Sequence, residues 1–207
     1  MILKNINFSY TPKVPILENF SLHVKEKSFL GIFAVSGKGK TTLLKIIGGI
    51  LKPNSGDVLF NRKNIYKTKK AELLKYRWQK IWFSFQEYHL LEDFSVKQNI
   101  QMPYIIGKNK IDEKWKEYLL EYLEIKELYN KPINKLSGGQ KERVSLARSL
   151  IHKPEILLTD EPGNSLDKDL RIKVYKLLKD YSKEHLVIAV SHDEDLKNYI
   201  DAECYLK

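Results

Sequence analysis

Ala34-Val35-Ser36-Gly37-Lys38-Gly39-Lys40-Thr41-Thr42 is the stretch on which the reading of this chain turns. Before it runs Ser28-Phe29-Leu30-Gly31-Ile32-Phe33, a short apolar stretch that reads as a buried strand. After it come Leu43-Leu44-Lys45-Ile46-Ile47 and then Ile50 and Leu51, whose spacing reads as a helix with one apolar face. A strand, a glycine-rich loop and a helix form the context of a phosphate-binding loop. Gly37 and Gly39 can take backbone conformations closed to other residues, so successive N–H groups can turn inward on an anion. The helix aims its positive end at the same point. On this reading Lys40 reaches the β- and γ-phosphates and the Thr41 hydroxyl ligates Mg²⁺. Ala34 stands where such loops carry their first glycine, so that position needs no positive φ, and Lys38 adds a second cation. The competing reading is a solvated Gly/Lys turn.

With 207 residues the chain has room for one large core, or one core with an inserted subdomain. It is 43% hydrophobic and 30% charged, an ordinary globular balance. Its only cysteine, Cys204, excludes an intramolecular disulfide, as suits a reducing compartment. Met1-Ile2-Leu3-Lys4-Asn5 does not read as a signal peptide, and no run approaches the length of a membrane span. The net charge of +10 permits nucleic acid, anionic lipid or acidic partners. The lysines read as dispersed, with Lys67, Lys69 and Lys70 as the one tight cluster, so composition outweighs a nucleic-acid surface and no nucleic acid is expected.

Outward from the loop, residues 2–30 read as β-rich around a turn at Thr11-Pro12-Lys13-Val14-Pro15. Tyr10 ends the first strand, where a flat aromatic either packs the turn or stacks on an adenine. Pro53-Asn54-Ser55-Gly56 turns into a strand at Asp57-Val58-Leu59-Phe60, and residues 67–80 read as a charged helix. Ile81-Trp82-Phe83-Ser84-Phe85 reads as a strand ending at Gln86, either a polar strand end or an amide beside Mg²⁺ and a γ-phosphate. Beyond Glu87, residues between Asp112 and Tyr129 read as an amphipathic helix, punctuated by Pro103, Gly107 and Pro132. Leu136-Ser137-Gly138-Gly139-Gln140 opens a second helix at an anion-binding N-terminus, or a Ser-capped helix after a glycine turn. Ile156-Leu157-Leu158-Thr159-Asp160-Glu161 is a continuous apolar strand ending in two carboxylates, as in a parallel sheet covered on both faces. There Asp160 would hold Mg²⁺ and Glu161 would act as general base. Leu186-Val187-Ile188-Ala189-Val190 reads as the last clear core strand, with His192 just past its end.

Together these residues resemble the ATPase subunit of ATP-binding cassette proteins, over essentially the whole chain. Tyr10 matches the adenine-stacking aromatic and 34–42 the Walker A loop. Gln86 matches the Q-loop glutamine, and 136–140 match the LSGGQ signature letter for letter. Residues 156–161 match Walker B with its catalytic glutamate, Leu166-Asp167 the end of the D-loop, and His192 the switch histidine. Ile46–Gly56 and Glu87-Tyr88-His89-Leu90-Leu91 look like the lipoprotein-releasing and macrolide- or peptide-exporter branch. Trp82, Ser84 and Gly163-Asn164-Ser165 depart from its usual residues.

The resemblance implies a single α/β domain over residues 1–207. It would have a P-loop NTPase core (1–86 and 150–207), a small antiparallel β part and an inserted helical subdomain near 87–149. It implies ATP and Mg²⁺ as cofactors, with Glu161, His192 and Gln86 at the chemistry and Thr41, Gln86 and Asp160 near the metal. It also implies a second copy of the chain, packed head to tail, whose Ser137, Gly138, Gly139, Gln140 and Asp167 complete each nucleotide site. A separate transmembrane permease and a place on the cytoplasmic face of the cell membrane follow. The alternatives are a non-transporting ATPase that regulates a membrane complex, and one acting on nucleic acid.

Overall fold

The computed structural model describes residues 1–34, 38–107 and 110–206. Val35, Ser36 and Gly37 of the phosphate loop lie outside the described residues. The alternating N-terminal segment forms β1 (Ile2–Thr11) and β2 (Val14–His23), joined by a tight turn in which Lys13 takes a positive φ of 73°. Then come β3 (Phe29–Phe33), α1 (Lys40–Ile47), β4 (Ser55–Phe60), β5 (Lys63–Asn64), α2 (Lys70–Gln79) and β6 (Ile81–Ser84). The rest runs α3 (Val96–Gly107), α4 (Glu113–Tyr122), α5 (Gly138–Leu150), β7 (Ile156–Asp160), α6 (Lys168–Ser182), β8 (Leu186–Ser191) and β9 (Ala202–Tyr205).

Among the described residues, nine strands divide between two sheets. An antiparallel sheet has the order β2-β1-β4-β5, and a wholly parallel sheet has the order β6-β7-β8-β3-β9. In the parallel sheet every residue of β3, β7 and β8 is buried. Their unbroken apolar runs follow from cover on both faces. The period of two still sorts the side chains. Phe29, Phe33, Leu157, Val187 and Ala189 face a core shared with α3 to α6, and Leu30, Ile32, Ile156, Leu158, Ile188 and Val190 face α1 and the antiparallel sheet. Val96, Ile100, Leu119, Leu120 and Leu123 join the first of these cores, so the helical region packs directly on the sheet.

The helix after the phosphate loop is shorter than its spacing suggests. It stops at Ile47 because Gly48 caps it and Gly49 turns left-handed at φ 71°, which leaves Ile50 exposed. The expected helix from Asp112 to Tyr129 also ends early. Asp112 caps its start by accepting the Trp115 N–H at 3.0 Å, but Glu124 at φ 53° breaks it, and Lys126–Leu128 continue as one 3₁₀ turn. Pro103 does not punctuate the region; it sits inside α3. Helix α3 falls within the region expected to be helical; α6 and the edge strand β9 carry no sequence expectation, and β9 extends the sheet past the strand read as the last.

Just past α5, His152 lies edge-on to Trp82 with ring centroids 4.5 Å apart. Both ring nitrogens are buried without a hydrogen-bond partner among the described residues. Burial lowers its pKa from 6.5 to about 4. The folded pKa lies below the unfolded one, so the contribution is present above pH 6.5 and is lost as pH falls toward 4. We expect the chain to lose up to about 3 kcal/mol over that window from this residue alone. The His152→Phe variant should show a correspondingly flatter stability profile in urea titrations at stepped pH. Parallel profiles would refute this account.

Candidate functional site

The carboxyl ends of β3, β6, β7 and β8 lie side by side, as the parallel register requires, and the residues just beyond them meet in one place. A cavity of about 660 Å³ opens there. Ala34 follows β3, Gln86 follows β6, Asp160 and Glu161 end β7, and His192 follows β8; all line the cavity. Gly39, Lys40, Thr41 and Thr42 line it at the start of α1, and Tyr10 comes from the antiparallel sheet. Gly39 caps α1 at φ 81°, and a Cβ there would meet Ile16 Cγ2 at 2.6 Å, so both conformation and space call for glycine.

Within the cavity the polar groups satisfy one another. Lys40 Nζ donates to the Ala34 carbonyl at 2.9 Å and lies 3.1 Å from Glu161 Oε1. Glu161 Oε2 accepts the His192 backbone N–H at 3.1 Å and lies 2.8 Å from His192 Nδ1, with the Ser191 hydroxyl at 3.3 Å. The Thr41 hydroxyl donates to Asp160 Oδ2 at 2.6 Å. Tyr10 sits at the rim, 61% exposed, edge-on to Phe8, with its hydroxyl 3.2 Å from Thr42 Oγ1. One ring face is therefore open to a flat ligand, while the hydroxyl is tied to α1.

The two adjacent carboxylates titrate in opposite directions. Burial raises the Asp160 pKa, helped by the neighbouring Glu161 charge and opposed by the Thr41 hydrogen bond. Burial acts on Glu161 too, but hydrogen bonds from His192 and Lys40 outweigh it and hold that carboxyl below its ordinary value. Glu161 also adopts φ 53°, a strained conformation for a non-glycine residue, pinned by its N–H to the Val190 carbonyl at 2.9 Å.

Ser137, Gly138, Gly139, Gln140 and Asp167 do not reach this cavity. Ser137 and Gln140 form a reciprocal capping box, so the Gln140 amide is spent on the Ser137 N–H at 2.9 Å. The Gln140 N–H is taken up by the Ser137 hydroxyl, while those of Gly138 and Gly139, the first of α5, have no intrahelical acceptor. A Cβ built on Gly138 meets nothing within 4 Å. The Asp167 carboxylate caps α6 by accepting the Leu170 N–H at 3.0 Å.

Sequence reasoning missed Glu142, one turn into α5. Its buried carboxylate accepts the backbone N–H groups of Gly163 and Ser165, and so ties the loop after Glu161 to the helix that Ser137 starts. Burial raises its pKa against those same hydrogen bonds. The available signal was the polar row Glu142, Ser145 and Ser149 on an otherwise apolar helix face, all buried. Tyr175 was missed as well; its hydroxyl donates to Asp193 Oδ2 at 2.8 Å and steadies the turn that carries His192.

A cavity at a helix start, lined by adjacent strand-end carboxylates and a lysine, is the arrangement of a nucleoside-triphosphatase site on a P-loop fold. The family model for ABC transporters matches residues 17–164. The lipoprotein-releasing system ATP-binding protein LolD of Ehrlichia chaffeensis is 37% identical over 195 residues, covering 92% of this chain and 83% of that protein. The macrolide export ATP-binding/permease protein MacB of Campylobacter jejuni is 38% identical over 181 residues, covering 86% of this chain and 28% of that protein. The dimeric structure of the ATP-binding cassette MJ0796, in a post-hydrolysis state bound to ADP and Pi, superposes with a TM-score of 0.90 at 32% identity, over 100% of this chain and 94% of that one. The chain belongs to the ABC transporter family, as one of its ATP-binding, ATP-hydrolysing subunits.

Replacing Glu142 by Ala would leave two loop N–H groups without their acceptor, a loss of about 2–4 kcal/mol. Glu142→Gln keeps an acceptor oxygen and should lose about half as much. Urea midpoints of the two variants check the order; an Ala variant as stable as the parent would show that water replaces the carboxylate.

Proposed function

We propose that the chain powers an exporter-type transporter as one of two identical cassettes, packed head to tail, beneath a separate membrane-embedded permease. The names of the LolD and MacB relatives support a peptide, lipid-linked or hydrophobic substrate, exported or extracted from the membrane. No described helix is long and apolar enough to cross a membrane, so on this reading the chain works peripherally at the cytoplasmic face. Residues 87–149 act as a helical subdomain that carries the signature motif, and 1–86 with 150–207 as the core.

In this reading the adenine stacks on Tyr10, and the phosphates lie along the loop 34–42 on its amides, Lys38 and Lys40. Among the described residues no three His, Cys, Asp or Glu side chains form a metal cage. The Thr41 hydroxyl and the Asp160 carboxylate, 2.6 Å apart, are hard oxygen donors that fit Mg²⁺ held mainly by phosphate and water, with Gln86 beside them. Bound there, Mg²⁺ supplies charge neutralisation for the leaving phosphates. Lys40, engaged by Glu161 in the structure, turns to phosphate charge when nucleotide arrives. Glu161 then has an oxygen free to orient the attacking water, while His192 keeps its contacts to the other oxygen. His192 stays within reach of the γ-phosphate.

The observation that carries the proposal is the open space at Gly138. No described residue comes within 4 Å of a Cβ built there, and neither Gly138 nor Gly139 lines the Lys40 cavity. A second chain bearing a nucleotide satisfies both. We expect Glu161→Gln to bind ATP and to lose about 10²–10⁴-fold in kcat, accumulating as an ATP-bound dimer on sizing columns. Adding Gly138→Asp should abolish that dimer while nucleotide titration stays unchanged, because the new carboxylate repels the partner's phosphates. Turnover at the parent rate by Glu161→Gln would remove Glu161 as base. A hydrolysis rate per chain independent of protein concentration would sink the shared site.

A further inference from the structure

His192 is lightly held for a residue at the chemistry. Its side chain is 63% exposed, and its ring has one polar partner among the described residues, Glu161 Oε2 at 2.8 Å from Nδ1. Strand β8 ends at Ser191, one residue earlier. The residue after it is anchored instead. Asp193 Oδ2 accepts the Tyr175 hydroxyl at 2.8 Å and lies 3.0 Å from Arg171 Nε. The Nε contact is off the N–H axis, so it is an ion pair and not a hydrogen bond. The other oxygen, Oδ1, accepts the Asp195 N–H at 2.9 Å, and the Asp193 N–H goes to the Ser191 hydroxyl at 3.0 Å. Both oxygens of the carboxylate are engaged, and the turn at His192 is closed across its ends.

Arg171 and Tyr175 are four residues apart on α6 and so share one face. Helix α6 begins at Lys168, on the loop that leaves Glu161. Arg171 touches that loop as well. Gly163 has φ 85°, and a Cβ built on it would meet Arg171 Cγ at 2.6 Å. One side chain therefore lies against the segment after Glu161 and against the residue after His192. A cavity of about 250 Å³ is lined by Glu161 and His192 together with Arg171, Tyr175 and Asp193. The last three do not line the Lys40 cavity, so any part they take in hydrolysis is indirect.

We infer, on the reading above that places His192 at the chemistry, that Arg171 and Tyr175 are positioning residues for hydrolysis. They hold Asp193 on α6 and so keep His192 on Glu161. Loosened from α6, the turn would let His192 swing into solvent, where most of its ring already lies. A reacting group displaced by about 1 Å can cost about 100-fold in rate.

The test is a double-mutant cycle on the full chain, with kcat and KM for ATP and the urea midpoint measured for every variant. Arg171→Gln should lower kcat about 10–100-fold and leave KM unchanged. Arg171→Lys should recover most of that loss, because an ion pair off the N–H axis needs the charge and not the guanidinium fork. Tyr175→Phe, which keeps the packed ring, should lose about 3–10-fold in kcat, the worth of one hydrogen bond. In a His192→Ala background, whose residual rate is read under single turnover, Arg171→Gln and Tyr175→Phe should cost nothing further, while their urea midpoints shift as before. Equal fold-losses in both backgrounds would make the two residues structural supports only and overturn the inference. So would a parent kcat in Arg171→Gln and Tyr175→Phe while His192→Ala is impaired. A parent kcat in His192→Ala would instead remove His192 from the chemistry, and the inference with it.

Discussion

The ion pair between Lys40 and Glu161 joins the first residue of α1 to the end of β7, and the site is built around it. Both side chains are nearly withdrawn from solvent. Removing one partner of such a pair typically costs about 3–5 kcal/mol, because the other is left charged and unmatched. The pair holds only because β3, β7 and β8 lie in parallel register, which brings Ala34, Glu161 and His192 to one edge. Asp160 and Thr41 make the second link across the same gap. A cavity that must receive a phosphate chain is thus kept compact by contacts that a phosphate can replace.

Glu161 bears much of the cost of that arrangement. It is buried, adopts a left-handed backbone and lies next to a second carboxylate. Its ionisation survives through hydrogen bonds from His192 and the nearby lysine. Strain and charge are concentrated at one residue, and the neighbouring strands β3, β7 and β8, buried throughout, are rigid enough to hold them. The loop that follows is anchored elsewhere, by Glu142 on α5. The turn after Glu161 and helix α5 are therefore linked within one chain.

Helices α2 and α5 show the same sequence principle used in opposite ways. In α5 the apolar residues go inward, and Ser137 and Gln140 cap the N-terminus reciprocally. In α2 little goes inward, and apolar residues remain outside among cations.

Much of the site was legible in residue order. Strand-end polar residues at 86, 160–161 and 192, a glycine-rich turn before a helix, and the continuous apolar run of β7 are local patterns. Local geometry alone makes them a parallel sheet with its ligands at one edge. What order could not decide depended on distance in three dimensions. Helix α1 ends at Ile47 because two glycines cap and turn it, while the apolar spacing runs on to Leu51. Helix α3 continues through Pro103, because a buried face compensates for one missing hydrogen bond. Glu142 gains its role from loop amides some twenty residues away. Sequence determined which residues carry the chemistry, since that depends on side-chain type and near neighbours. Tertiary structure decided which groups neutralise one another and which face outward, since burial and pairing exist only once the sheet has brought remote segments together.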